Sequence, residues 1–219
     1  MISIVIPTLW GAEEIYETIE SFKQHKTPTT ELIIIDNTNS DFKDSDITII
    51  KPNINTGVNP AWNAGVALAS YDNVLLLNDD ITINFKLFFE FLNKIDINTL
   101  DYGILACDRA KFTTKDINKD NDELSLEENQ DGRFFGFGCF MVVNRNYYHP
   151  IPQSLKIFYG DDFLYFVYHD MLELPIKIIK NLRTKGRVET TSGDFGHLLQ
   201  DEVAPWQNIV GKVRRYYAK

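Results

Sequence analysis

Short apolar runs alternate with amphipathic stretches along the first hundred or so residues. "ISIVIP" (2–7) is continuous, β-branched and closed by Pro7, as a strand buried on both faces would be. Ile15, Ile19 and Phe22 then recur at spacings of four and three, which predicts a helix over 13–25. "ELIIIDN" (31–37) and "DITIIKP" (46–52) read as a second and third strand. Residues 60–69 read as a helix with Pro60 in its first turn and alanines along it. A fourth strand follows at 73–79, a helix at 85–95 and a strand at 102–108.

The rhythm changes after residue 108. Residues 109–133 are polar and charged and read as a loop or short excursion. "GFGCFMVVN" (136–144) and "PIKIIK" (175–180) read as strands. Residues 160–172 read as a helix with acids at its start, and 198–218 as a C-terminal helix interrupted near Pro205. Strands alternating with helices predict an α/β fold with a mainly parallel central sheet flanked by helices. No internal repeat or flexible linker divides the chain, so a single domain over 1–219 is expected.

In an open sheet of this kind, ligands bind outside the carboxyl ends of the strands. Three strands end in acids or amides there: Asp36–Asn37, Asn78–Asp79–Asp80 and Asp108. Carboxylates at a strand end suit Mg²⁺ or Mn²⁺, which take oxygen ligands and complete their shell with substrate phosphates. They equally suit a surface turn. The second acidic pair, Asp161–Asp162, follows Gly160. One reading is a general base, and the other is acids favoured by a helix dipole.

Bulk properties narrow the choice. The net charge is -9 and no Lys/Arg run is present, so a nucleic-acid partner is not expected. The start has no basic leader, and no stretch approaches the roughly 18 apolar residues of a membrane span. A soluble cytoplasmic protein is therefore expected. The basic, aromatic "VGKVRRYYAK" is either a peripheral membrane contact or a solvated helix end. Cys107 and Cys139 lie in apolar runs without a metal spacing and read as free thiols. Walker, dinucleotide-binding, zinc-protease and hydrolase-elbow motifs are all missing.

Five segments in order resemble the family 2 glycosyltransferases of GT-A fold. They are "ISIVIPTLWGAEEIYETIESFKQH", "ELIIIDNTNSD", "KPNINTGVNPAWNAGVALAS", "NVLLLNDDI" and "FYGDDFLYF", which together span about residues 1–180. The resemblance implies an inverting, hexosyltransferase-type enzyme of glycan biosynthesis. It would move a sugar from a nucleotide-diphosphate donor, most often UDP, to an acceptor hydroxyl. Residues 1–108 would form the nucleotide-binding half, 109–197 the acceptor-binding and catalytic half, and 198–219 a C-terminal helix. Carried over by position, Asp36 would hold the base or ribose beside Pro7 and Thr8. Asn59, Asn63 and Gly65 would shape the pocket floor. Asp80 would match the metal-binding carboxylate, with Asn78 and Asp79 beside it. Asp162 would match the general base, with Asp161 in place of a more usual Glu. His197 is a candidate metal or diphosphate contact, with a structural role as the alternative.

The resemblance has one departure. The family's metal motif commonly has Asp at both outer positions, and here the first is Asn78. Asp108 is a candidate sugar contact, Asp101 a turn residue, and Phe134, Phe135 and Trp206 an acceptor platform or core. The acceptor would be a glycan, a lipid-linked saccharide or a protein. Two other readings remain. A catalytically inactive nucleotide-sugar-binding protein would share the same pocket. A sugar nucleotidyltransferase would need a basic, glycine-rich loop after the first strand, where "PTLWGAEE" has neither Lys nor Arg.

Overall fold

The computed structural model describes residues 1–111, 116–117, 123–130, 132–134, 136–186 and 195–217, the last five by backbone alone. Its centre is an eight-stranded sheet. The strands are β1 (Ile2–Thr8), β2 (Thr30–Asp36), β3 (Thr48–Ile50), β4 (Asn73–Leu77), β6 (Ile104–Cys107), β7 (Ser125–Glu128), β8 (Phe140–Asn144) and β9 (Ile176–Lys180). β5 (Ile81–Ile83) and β10 (Thr184–Gly186) form a separate antiparallel pair. The helices are α1 (Glu14–His25), α2 (Val58–Leu68), α3 (Phe85–Lys94), α4 (Gly160–Tyr165) and α5 (Leu199–Tyr217).

The sheet order is β3-β2-β1-β4-β8-β6-β9-β7. β1 pairs in parallel with both β2 and β4. β8 runs antiparallel between β4 and β6, and β7 runs antiparallel on the outer edge of β9. The sheet is thus mainly parallel, as expected. The chain runs outward from β1 through β2 to β3, then returns to the other side of β1 as β4. The carboxyl ends of β1 and β4 therefore flank a topological switch point.

Both faces of β1 are covered, which explains the apolar run from Ile4 to Pro7. Ile4 and Ile6 face one core with Ile15, Phe22, Phe85 and Phe88, under α1 and α3. Val5 faces the other with Ala61, Trp62, Val66 and Leu164, under α2 and α4. α2 lies close on the sheet because Gly65 has no side chain. A Cβ there would stand 2.1 Å from Val5 Cγ1.

The structure departs from the sequence reading in several places. The third strand keeps only its middle three residues. Its start, from Asp46, is instead a turn in which Asp46 N–H donates to Asp44 Oδ1. Inside the polar 109–133 stretch, β7 pairs with β9. Its sequence "SLEE" is polar because it is an edge strand with mostly exposed side chains. The segment from Gly136 begins as a tight turn, with Gly136 at φ 82° and a 3₁₀ turn over Phe137–Cys139, before β8 starts. The 160–172 helix is α4 continued by a π-helical turn over Phe166–Met171. α5 runs through Pro205 without interruption. β5 and β10 escaped the pattern because three-residue strands carry too little periodicity to read.

Candidate active site

Thr8, Asp36 and Asn78–Asp80 follow from the ends of β1, β2 and β4, so the switch point gathers them. Thr8 Oγ1 donates to Asp79 Oδ2 at 2.7 Å and accepts from Trp10 N–H at 2.8 Å. Leu9 N–H also donates to Asp79 Oδ2, at 3.3 Å. Asp79 thus ties the end of β4 to the end of β1. Burial pushes its carboxyl above the usual range, and the Thr8 and Leu9 hydrogen bonds oppose that rise. Pro7 is buried within β1.

Asp36 is fully buried and organises the loop that follows it. Its Oδ1 accepts from Thr38 N–H at 2.9 Å and Thr38 Oγ1 at 2.7 Å. Its Oδ2 accepts from Ser40 N–H at 2.9 Å and Ser40 Oγ at 2.7 Å. Burial alone would raise this carboxyl. The Ser40 and Thr38 hydrogen bonds reverse that and hold it at about 2. Both oxygens are engaged with their own loop, so Asp36 sets the shape of the Asn37–Ser40 turn at the carboxyl end of β2.

Asp80 is buried, and β10 presses against its backbone: a Cβ on Gly186 would stand 2.0 Å from the Asp80 carbonyl oxygen. Asn78 Nδ2 donates weakly to Cys139 Sγ at 3.6 Å, and Asn78 N–H donates to the Cys139 carbonyl at 3.1 Å. Burial pushes the Cys139 thiol up, and the charges of Asp80 and Asp161 push it further. The Phe137–Cys139 turn therefore lies between the two acidic clusters. Gly138 packs directly on one of them, where a Cβ would meet Asp161 Cγ at 2.8 Å.

The second cluster has a partner that the sequence reading missed. Arg133 Nε lies 2.7 Å from Asp162 Oδ1, and Arg133 Nη1 lies 2.6 Å from Asp161 Oδ2. One guanidinium holds both carboxylates at the N-terminus of α4. Burial and the neighbouring Asp161 charge raise the Asp162 carboxyl to about 6, although Arg133 pulls the other way. The signal for Arg133 was present but indirect: two adjacent half-buried acids favour a nearby cation, and "DGR" ends the polar segment that leads there.

Asn59, Asn63 and Gly65 sit on α2; Gly65 packs on Val5, and the two amides act on the loop beside the helix. Asn59 Nδ2 donates to the carbonyls of Leu155 at 3.2 Å and Phe158 at 2.9 Å, and its N–H donates to Lys156 O at 3.0 Å. Asn63 Nδ2 donates to Ile151 O at 2.8 Å, while its Oδ1 accepts from Ile151 N–H and the Tyr148 hydroxyl. Both amides clamp α2 to the 148–158 loop that delivers Asp161 and Asp162. Gly57, just ahead of α2, has φ 87°, and a Cβ there would meet Lys156 O at 2.5 Å.

The remaining candidates are spread more widely. His197 is exposed on the 3₁₀ turn Gly196–Leu198 that leads into α5. Asp108 is buried and accepts from Ala110 N–H and Asn181 N–H, each at 2.9 Å, with Lys180 Nζ at 3.4 Å. Asp101 is exposed before β6. Phe134 packs in the core, edge-on to Phe137. Trp206 stacks on Tyr159 with ring centroids 5.5 Å apart. Phe135 lies outside the described residues, as do the side chains of 213–217 and all of 218–219 in the basic tail.

Among the described residues, no three His, Cys, Asp or Glu side chains gather as a metal cage. The donor set at β4 instead suits a cation held by one or two carboxylates and by substrate phosphates, which is how Mg²⁺ commonly binds. Also among the described residues, no helix is long and apolar enough to cross a membrane.

Comparison with known proteins identifies the family and the fold. Residues 3–152 match the family model described as glycosyl transferase family 2. That span includes Thr8, Asp36, α2 and Asn78–Asp80, and it ends before Asp161–Asp162. No curated protein is significantly similar in sequence. Among solved structures, S. aureus TarS 1-349 shares the fold with a TM-score of 0.60 at 15% identity, covering 94% of this chain and 65% of that one. The same protein in complex with UDP gives 0.60 at 16%, with coverage of 94% and 65%. Its complex with UDP-GlcNAc gives 0.57 at 15%, with coverage of 87% and 60%. The chain thus spans less than two thirds of the TarS 1-349 structures it resembles.

Proposed function

This chain belongs to glycosyl transferase family 2 and has the GT-A fold, and from that premise we propose that it is an inverting glycosyltransferase using a UDP-sugar donor, with Asp162 as its general base. The observation that carries the reading is the Asp162 carboxyl. It stands at the N-terminus of α4, raised to about 6 by burial and by Asp161. An ordinary aspartate is too weak a base to take a proton from a hydroxyl. One tuned towards neutrality is better matched to that task.

The donor would lie over the carboxyl ends of β1, β2 and β4. The Asp36-organised turn would face its nucleoside, with the Thr8–Asp79 link beneath the diphosphate. TarS has been solved with UDP and with UDP-GlcNAc, which supports UDP as the nucleotide and a hexose as the transferred sugar. Asp80, with Asn78 beside it, would hold Mn²⁺ or Mg²⁺ through carboxylate and amide oxygens, and His197 is a further candidate contact. When bound, the cation would neutralise charge on the leaving diphosphate.

Asp162 would accept the proton of the acceptor hydroxyl as that oxygen bonds to the anomeric carbon. The bond from that carbon to the diphosphate breaks on the opposite face, and its electron pair leaves with UDP. Attack opposite the leaving group inverts the anomeric centre. Arg133 would keep Asp162 ionised and aligned between turnovers. The acceptor is proposed only as a hydroxyl-bearing glycan, lipid-linked saccharide or protein.

Calorimetric titration with UDP-, TDP- and GDP-sugars, with and without Mn²⁺, tests the donor assignment. The reading predicts selective UDP-sugar binding, tightened by Mn²⁺ and weakened in Asp80→Ala. Equal binding of all three nucleotides, or none, would contradict it.

A further inference from the structure

α5 sends one acid into the interior. Glu202 is only 5% exposed, and a buried Glu normally has a defined partner. Its partners are three consecutive backbone amides. Lys156 and Ile157 N–H donate to Oε1, each at 3.0 Å, and Phe158 N–H donates to Oε2 at 2.9 Å. Asn59 Nδ2 grips the same loop by donating to the Leu155 and Phe158 carbonyls.

The gripped segment runs directly into the acidic pair. Tyr159 follows Phe158 at φ 57°, a left-handed backbone that a non-glycine residue keeps only when its surroundings impose it. Trp206, one helical turn after Glu202, stacks on the Tyr159 ring with an interplanar angle of 10°. Gly160 packs on Asn59 so tightly that a Cβ would reach Asn59 Oδ1 at 1.9 Å. Asp161 and Asp162 come next. No slack separates the Glu202 carboxylate from the start of α4.

We propose that Glu202 is a positioning residue for Asp162, acting through the 156–158 amides and the Tyr159–Gly160 turn. The proposal rests on the reading of Asp162 as the base. It adds to the reaction a residue on α5, beyond the matched family span of 3–152. A carboxylate accepting three amides fixes the direction of the loop. Removing it leaves three N–H groups to seek new partners and lets the start of α4 shift.

The test compares wild type with Glu202→Ala and Glu202→Gln. UDP release from a UDP-sugar is read as kcat and KM. Titration of the Asp162 carboxyl carbon by NMR is read alongside, because it needs no turnover. The melting temperature reports folding. In Glu202→Ala, kcat is expected to fall about 10- to 100-fold while KM for the donor stays within about twofold, as for a misplaced catalytic group. Its Asp162 midpoint should fall towards the ordinary aspartate range. Glu202→Gln, which keeps one accepting oxygen, should recover part of both. A folded Glu202→Ala with wild-type kcat and an unmoved Asp162 midpoint overturns the proposal. If Glu202→Ala does not fold, Glu202→Gln decides by the same two readouts. Wild type that turns over no UDP-sugar would defeat the functional reading instead, and the NMR midpoints would still decide the role of Glu202.

Discussion

Arg133 holds Asp162 through a 2.7 Å contact from Nε to Oδ1, and the same guanidinium reaches Asp161. The cation therefore opposes the two influences, burial and Asp161, that raise Asp162 to about 6. The proposed base works only when ionised, so activity should rise with pH through about 6 and level off above it. Arg133→Met removes the opposing charge and should move that acid limb to higher pH. The pH profile of kcat/KM checks this, and an unmoved limb would detach Arg133 from the base.

Asp162→Asn should cost activity and gain stability. Loss of a general base typically lowers kcat by about 10²- to 10⁴-fold. The folded pKa lies above the unfolded value of 3.8. The folded state therefore holds the extra proton between those values, and stability falls as pH rises from about 4 to about 6. At neutral pH the amide variant avoids that loss, about 1–2 kcal/mol for a partly exposed carboxyl. Melting at pH 7.5, a working value of about neutral, should show a Tm a few degrees higher than wild type.

Asp36 has the opposite sign. Its folded pKa is depressed from 3.8 to about 2, so its contribution is present above about pH 4 and is lost as pH falls towards about 2. Asp36→Asn should cost about 2 kcal/mol at pH 7 and much less near pH 2.5. Denaturant melts at the two pH values give the comparison.

Gly65→Ala should disturb the switch point without touching its polar residues. The new Cβ would stand 2.1 Å from Val5 Cγ1 on the central strand. Overpacking of this kind costs about 1–3 kcal/mol. Chemical denaturation measures it, and a loss below about 0.5 kcal/mol would mean that α2 shifts freely on the sheet.

The sheet was readable because its central strands are buried on both faces, so Ile4–Pro7 and Val74–Leu77 appear as unbroken apolar runs. The polar ends of β2 and β4 pointed to the site because each directly follows a buried apolar stretch, Leu32–Ile35 and Val74–Leu77. What escaped depends on partners far apart in sequence. Thr184–Gly186 becomes a strand only by pairing with Ile81–Ile83. Asn59 and Asn63 read as pocket residues, yet their amides are turned to the 148–158 loop. Glu202 stands in the first turn of a helix, and only the folded chain brings it against the 156–158 amides. Arg133 closed a polar segment and found its carboxylates only in three dimensions.

In the proposed reaction Asp162 performs the chemistry on a UDP-sugar bound at the switch point. The most direct measurement is UDP release from UDP-GlcNAc with Mn²⁺ and water as acceptor, for wild type and Asp162→Asn, with donor binding measured in parallel. The account predicts slow release by wild type, loss of release in the variant, and unchanged donor binding in both. Equal release by the two proteins, or donor binding with no release by either, would contradict it.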